Sequence, residues 1–147
     1  MNLQDLLAQG RLRRRSARKE EIQGILQVAD RDLNDAAVPG LSSDRLFLIA
    51  YEAALTLATI PLRCAGYETY GLGHHCTTFQ ALPLTMGDAL LDLSIYFESC
   101  RSKRNIGAYD RSGAISRSEA SELVEEAKAF NRRLRLWLGE KFPELAD

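Results

Sequence analysis

The chain has few of the residues that build a disulfide framework or a β-rich fold. Its three cysteines, Cys64, Cys76 and Cys100, lie far apart and form no C-x-x-C pair, so we expect free thiols in a reducing cytoplasm. No segment alternates β-branched and polar residues in the way that a strand does. The amino terminus also lacks the order of a secretory signal, so we expect no signal peptide.

The chain also lacks an excess of charge of either sign, since its formal net charge is -1. This balance argues against a uniformly basic nucleic-acid coat protein, and any nucleic-acid contact must use a local patch. Three basic patches are available: residues 11–19; Arg101, Lys103, Arg104 and Arg111; and Arg132, Arg133 and Arg135. Each patch taken alone is more typical of a solvated surface than of a binding site.

Length and composition predict one domain. The 147 residues suffice for a single core, with a short helix and basic arm at residues 1–17 and a helical bundle over residues 18–142. The most apolar run, residues 46–62, is short for a membrane span and carries Glu52 and Pro61. We therefore expect a buried central helix and no membrane partner.

Helical periodicity predicts an all-α fold, an antiparallel up-and-down bundle of four longer helices with additional short helices. Ser42 or Ser43 caps the central helix, and a capping box of Ser116 and Glu119 opens the last helix. The predicted helices cover residues 3–8, 18–34, 43–66, 88–104 and 116–141, with a shorter helix and a bend before residue 88.

Two segments have less certain local structure. Thr77 and Gln80 fit another capping box, which predicts that a helix begins after Thr77. Residues 11–19 either continue as helix or remain a mobile arm.

A narrow polar stripe runs along the otherwise apolar central helix. Glu52, Thr56, Thr59 and Arg63 recur every three or four residues and therefore share one face. The simpler interpretation is a thin solvent-facing edge. The alternative is a polar lining turned toward a cleft or a twofold subunit interface.

A basic cluster lies beside a phenol and a carboxylate in the segment KRNIGAYD, residues 103–110. The guanidinium of Arg104 is a planar fork of donors that suits phosphate oxygens, whereas Tyr109, with a reference pKa of about 10, accepts protons poorly. The segment therefore predicts phosphate binding more readily than catalysis. In a purely structural alternative, the cations offset the carbonyl end of a helix that Asn105 or Gly107 ends, and Tyr109 packs in the core.

Three segments together resemble the HEPN superfamily of prokaryotic helical bundles. They are AYEAAL at residues 50–55, KRNIGAYD at residues 103–110 and GHHCTTFQ at residues 73–80, the last of which looks like a segment of the actinobacterial-type HEPN branch. The resemblance covers residues 18–141 and extends to the order and spacing of the helices. It implies a dimeric bundle, with RNA as the first substrate class to consider.

Many HEPN proteins are toxins or defence-system ribonucleases in which two arginine-histidine motifs share the basic cleft of a homodimer. The resemblance implies that Arg104 holds the scissile phosphate and that Asn105 helps to position the site. Tyr109 stands where the motif has its histidine, and no histidine follows His75. Metal-independent cleavage needs a base whose pKa lies near neutrality, a requirement that Tyr109 alone does not meet.

The candidate residues form three groups. The catalytic candidates are Arg104, Asn105, Tyr109 and Asp110; the RNA- or phosphate-binding candidates are Arg101, Lys103, Arg104 and Arg111; the supporting candidates are Glu52, His74 and His75. Tyr109 can donate a hydrogen bond to phosphate or stack on a base. Asp110 can act as a base or pair with a neighbouring arginine.

His74, His75 and Cys76 carry donor atoms that bind zinc, but adjacent histidines on a loop rarely chelate one ion together. A role at the entry to the following helix is the simpler interpretation, and we expect no metal or cofactor. A further hypothesis is that folding brings these histidines near Arg104, where one of them supplies the missing base.

The leading prediction is a cytoplasmic, homodimeric HEPN-like bundle that binds RNA or another phosphate-rich partner around Arg104, within a toxin-antitoxin or defence system. The sharpest alternative is an active ribonuclease with Tyr109, Asp110 or a histidine as its base. A third interpretation is a non-catalytic subunit that binds an antitoxin or another protein through its helical faces.

Overall fold

Helices make up most of the structure, a computed structural model that describes residues 1–109 and 115–146, without the side chains of residues 106–109. The helices are α1 Leu3–Ala8, α2 Lys19–Asp35, α3 Ser43–Cys64, α4 His74–Gln80, α5 Leu82–Met86, α6 Leu91–Tyr109 and α7 Arg117–Lys141. The other elements are a 3₁₀ turn, Asp88–Leu90, and two short strands, β1 Leu12–Arg14 and β2 Tyr67–Thr69. The prediction of a predominantly helical fold is confirmed.

The central helix α3 organises the core, because it packs against both α2 and α7 and also contacts α6. Ala50, Ala53 and Ala54 are fully buried, and their small side chains let neighbouring helices approach closely. Among the described residues, α3 is the one helix long and apolar enough to cross a membrane, and 67% of that apolar stretch is buried inside the protein. The prediction of a buried central helix is confirmed.

Local sequence signals set several helix ends as predicted. The side chain of Ser42 accepts a hydrogen bond from the backbone N–H of Arg45, and Ser116 forms the reciprocal capping box with Glu119 at the start of α7. Such caps bind N–H groups that the first turn of a helix leaves without partners. Gly87, with a φ of 104°, makes the bend that follows α5.

An aromatic row crosses the core from α3 to α7. Tyr51 and Phe79 have ring centroids 5.9 Å apart, Phe79 and Phe97 are 5.4 Å apart, and Phe97 and Phe130 are 5.6 Å apart. All four rings are buried, and each such pair contributes about 0.5–1.5 kcal/mol beyond the burial itself. The row holds Tyr51 in a fixed position at one side of the core.

The strands correct the prediction that residues 11–19 continue as helix or form a mobile arm. β1 pairs antiparallel with β2, with Leu12 opposite Thr69 and Arg14 opposite Tyr67. A small apolar cluster lies beneath the pair, formed by Leu6, Leu12, Leu62, Tyr67 and Ala81. This cluster holds two strands that are too short to be stable alone.

Two further predictions are wrong. Thr77 does not cap a helix, because α4 begins four residues earlier than predicted, after Gly73. The Thr77 hydroxyl instead donates to the Gly73 carbonyl at 3.3 Å. α6 does not end at Asn105 or Gly107, because it continues to Tyr109. A glycine inside a helix costs only about 1 kcal/mol relative to alanine, too little to end a helix that tertiary contacts support.

Candidate functional site

One face of α6 turns arginine side chains toward α3 and α4. Arg104 and Asn105 follow Arg101 by three and four residues and therefore lie on the same side of the helix as Arg101. Lys103 lies on a different side, where its Nζ is 2.7 Å from a carboxylate oxygen of Glu119 in α7. The basic cluster that is continuous in the sequence is therefore divided in the structure.

The two histidines begin α4. Gly73 precedes them with a φ of 73°, a left-handed conformation that glycine adopts without a steric penalty, and the chain turns there into the helix. An open cavity of about 210 Å³ lies between this end of α4 and α6, and it is lined by Gly73, His74, His75, Cys76, Arg101 and Asn105. The structure thus brings both histidines to the arginine-bearing face of α6.

Tyr51 links the histidines to Arg104. Its hydroxyl oxygen lies 3.1 Å from Nδ1 of His75, within hydrogen-bond distance. The guanidinium carbon of Arg104 lies 5.5 Å from the centroid of the Tyr51 ring, within the range of a cation-π interaction. Arg104 and His75 therefore contact the same phenol, a geometry that supports the hypothesis of a histidine near Arg104.

Burial and nearby cations set the protonation states at this site. Burial lowers the pKa of His75 below its ordinary value, and the charges of His74, Arg104 and Arg101 lower it further. Burial raises the pKa of Tyr51 to about 12, against the opposing effect of the two arginines. Near neutral pH, His75 is therefore mostly an uncharged imidazole that can accept a proton, and Tyr51 is an uncharged phenol.

The two arginines are held unequally. Arg101 donates two hydrogen bonds, of 2.8 Å and 2.6 Å, to Oε1 of Glu98. Arg104 lies 3.6 Å from Oε1 of the half-exposed Glu52, and its Nε atom is buried without a hydrogen-bond partner among the described residues. A long, solvated pair of this kind contributes little. The terminal nitrogens of Arg104 therefore retain donor capacity for a ligand, whereas its buried Nε does not face one.

Cys76 lies beside the histidines but is not an activated thiol. Burial, followed by the nearby negative charge of Glu98, raises its pKa, so the group stays protonated near neutral pH. Across residues 1–109 and 115–146, no three His, Cys, Asp or Glu side chains converge in a way that could hold a metal ion.

Part of the predicted site lies outside the described residues. These candidates are the side chain of Tyr109, and Asp110 and Arg111. Sequence reasoning did not include Tyr51 or Glu98 among the site residues. Both residues have a sequence feature that could have identified them. Tyr51 adjoins Glu52 in the AYEAAL segment, and Glu98 precedes Arg101 by one helical turn, a spacing at which the two side chains can pair.

The polar stripe of α3 has two different ends. Thr56, Thr59 and Glu52 are partly exposed, as expected for a solvent-facing edge. Arg63 is buried, and its Nη2 atom lies 2.7 Å from Oε2 of Glu21 in α2. The solvent-edge interpretation is therefore wrong for Arg63, because this ion pair holds the guanidinium between two helices.

Comparison of the chain with known proteins finds no matching family model, no matching curated protein and no matching solved structure. The resemblance to HEPN proteins therefore rests on the three quoted segments. The chemistry of the site follows from its own geometry.

Proposed function

We propose that the chain is a HEPN-like protein that binds RNA through one surface on α4 and α6. This arginine-histidine surface consists of His74, His75, Arg101, Arg104 and Asn105. The observation that carries the proposal is the convergence of Arg104 and His75 on Tyr51. His75 also lines an open cavity together with His74, Arg101 and Asn105.

The character of the surface favours a phosphate on a polymer over an enclosed small molecule. The cavity of about 210 Å³ is below the roughly 300–1,000 Å³ of pockets that enclose small ligands. Guanidinium groups match phosphate oxygens in geometry and charge. The effect of Arg101 and Arg104 on the pKa of His75 also indicates a positive potential at the imidazole.

The proposal includes an antiparallel bundle of α2, α3, α6 and α7. Lys103 near the end of α6 pairs with Glu119 at the start of α7, as expected for antiparallel neighbours. Arg117 at the start of α7 donates to the carbonyl of Leu41 before α3 at 2.7 Å, so α3 and α7 run in the same direction, as the second and fourth helices of an up-and-down bundle do. A homodimer, a toxin-antitoxin or defence context and a cytoplasmic location belong to the same proposal, and their support is the HEPN resemblance.

RNA binding is tested by fluorescence anisotropy with a short labelled single-stranded RNA at about 50 mM salt, where phosphate contacts are strongest. Arg104→Ala should weaken binding about tenfold or more, because it removes charge-assisted hydrogen bonds. Arg31→Ala is the matched control, since Arg31 is an exposed arginine on α2. The surface is not an RNA site if the wild type does not bind RNA, or if Arg104→Ala and Arg31→Ala lose affinity equally. Either result would favour the protein-interaction interpretation.

A second candidate function is metal-independent RNA cleavage with His75 as the base. When Nδ1–H donates to the Tyr51 oxygen, Nε2 is free to accept the 2′-hydroxyl proton. The 2′-oxygen then attacks phosphorus, the bond to the 5′-oxygen breaks, and that oxygen takes up a proton from water. Arginine side chains would stabilise the charge that develops on the phosphoryl oxygens.

Cleavage is tested with purified protein in EDTA, by assaying RNA fragments for 2′,3′-cyclic phosphate ends. His75→Asn should abolish cleavage while RNA binding persists. His74→Asn is the matched control, because the described hydrogen bond to Tyr51 is made by His75 and not by His74. Binding without cleavage by the wild type would reject the nuclease candidate and leave the RNA-binding proposal intact.

A further inference from the structure

A second surface adjoins α4 and is built on the two strands. We call it the arginine-tyrosine ribbon, and it comprises Arg11, β1, Arg15, β2 and Tyr70. Arg13 lies opposite Glu68 in the register of the strands. Because successive side chains of a strand point to opposite faces, Leu12 enters the apolar cluster beneath, whereas Arg13 is exposed.

Planar side chains are paired on this ribbon. The guanidinium carbon of Arg13 lies 5.0 Å from the centroid of the Tyr70 ring, and that of Arg14 lies 5.6 Å from the Tyr67 ring. Tyr67 is buried, and its hydroxyl accepts a hydrogen bond from the Gln4 side chain at 3.0 Å. Tyr70 is 53% exposed, so the pair that it forms with Arg13 is open to a ligand.

The ribbon has more cations than carboxylates. Glu68 lies 3.4 Å from Arg13 and 3.2 Å from Arg15, so one carboxylate is shared by two guanidinium groups. Arg15 also contacts Glu21, but that carboxylate is bound more closely by Arg63. An excess of positive charge beside an exposed aromatic ring is complementary to nucleic acid, which carries phosphates next to flat bases.

The ribbon is attached to the helix that carries the histidines. Arg11 donates from Nε to the Thr77 hydroxyl at 3.1 Å and from Nη2 to the Gln80 side chain, and both residues belong to α4. The backbone N–H of Tyr70 in turn donates to the carbonyl of Arg11 at 2.9 Å. The ribbon and the arginine-histidine surface therefore adjoin the same short helix.

We propose that the arginine-tyrosine ribbon is a second contact surface for the same RNA and that it selects unpaired nucleotides. Tyr70 stacks on a base, and Arg13 binds an adjacent phosphate. The inference rests on the proposed function, since it extends the RNA that the arginine-histidine surface binds. An unpaired base exposes the flat face that Tyr70 needs, whereas a duplex hides it between neighbouring base pairs.

The test compares one RNA sequence as a single strand and as a duplex, by anisotropy across a salt series. Tyr70→Ala should weaken single-strand binding about fivefold or more and leave duplex binding unchanged, because stacking is lost and no charge is removed. Tyr70→Phe should retain the affinity. Arg13→Ala should weaken binding and make the slope of log K against log salt concentration shallower by about 0.7, because one phosphate contact is lost. Arg31→Ala should change neither the affinity nor this slope.

The outcomes separate this inference from the proposed function. If Arg104→Ala weakens binding and Tyr70→Ala does not, the ribbon inference is rejected and the arginine-histidine surface stands. If Tyr70→Ala weakens binding and Arg104→Ala does not, the ribbon is the RNA site and the proposed surface is rejected. Equal losses on single strand and duplex with Tyr70→Ala would reject stacking. Circular dichroism melting of each variant excludes unfolding as the cause.

Discussion

Arg63 and Arg104 lie near opposite ends of the same polar stripe of α3 and are held in opposite ways. Arg63 is buried, and its ion pair with Glu21 measures 2.7 Å. Arg104 is partly exposed, and its pair with Glu52 measures 3.6 Å. Both guanidinium groups keep a buried Nε atom without a hydrogen-bond partner among the described residues.

The two arginines also differ in what else their guanidinium groups contact. Arg63 also reaches the backbone carbonyl of Ser16 at 3.4 Å, so its charge joins the start of α2 to the end of α3. Arg104 rests on the face of Tyr51 and reaches a carboxylate that water also reaches. A short pair on a buried guanidinium indicates a structural role, and a long, solvated pair indicates a cation that a ligand can bind.

The largest expected effect is a difference in stability between the alanine variants of Arg63 and Arg104. Arg63→Ala should lower the free energy of unfolding by about 2 kcal/mol, because it removes a buried side-chain stem and one partner of Glu21. Arg104→Ala should lower it by less than about 1 kcal/mol. Urea denaturation measures both values as shifts of the midpoint at constant m. Equal losses of unfolding free energy in the two variants would contradict the different roles assigned to Arg63 and Arg104.

A smaller effect should appear when the carboxylate beside Arg104 is neutralised. Glu52→Gln removes a negative charge that opposes phosphate, so RNA affinity should rise about two- to fivefold in the anisotropy assay. Glu125→Gln, at a far more exposed glutamate on α7, should leave the affinity unchanged. Weaker binding by Glu52→Gln would instead indicate that Glu52 orients Arg104 for its ligand.

The smallest effect concerns pH. The folded chain holds the pKa of His75 below its unfolded value of about 6.5, so the unfolded chain binds this proton first as the pH falls. The stability attributable to His75 should therefore be intact above about pH 6.5 and decrease below it. His75→Asn should remove this part of the pH dependence of Tm, whereas His74→Asn should retain most of it, because burial is the largest cause of the pKa shift. An unchanged profile in His75→Asn would contradict the burial of the imidazole.

The longer helices were predictable because their signals are local. The caps at Ser42 and Ser116 and the apolar periodicity of α2 and α7 are readable from neighbouring residues, and the structure agrees. The same reasoning placed the start of α4 too late, because a threonine near a helix start can cap the helix or donate back to its first turn.

The strands and the site depend on contacts between distant parts of the chain. Arg14 and Tyr67 meet across two three-residue strands, which are too short for a periodicity to be recognised. Tyr51 and His75 belong to different helices, and no local pattern indicates that a phenol of α3 will contact a histidine of α4. The sequence supplied most of the candidate residues, and tertiary packing decided which of them meet.

Tyr51 has a consequence for how this protein can evolve. Its ring is fully buried at the end of the aromatic row, and its hydroxyl meets His75. A substitution that changes the size of the Phe79 ring is therefore expected to shift Tyr51 and its contact with the imidazole. On the proposed function, selection for a well-packed interior and selection for RNA binding act on one side chain, so the two cannot change independently.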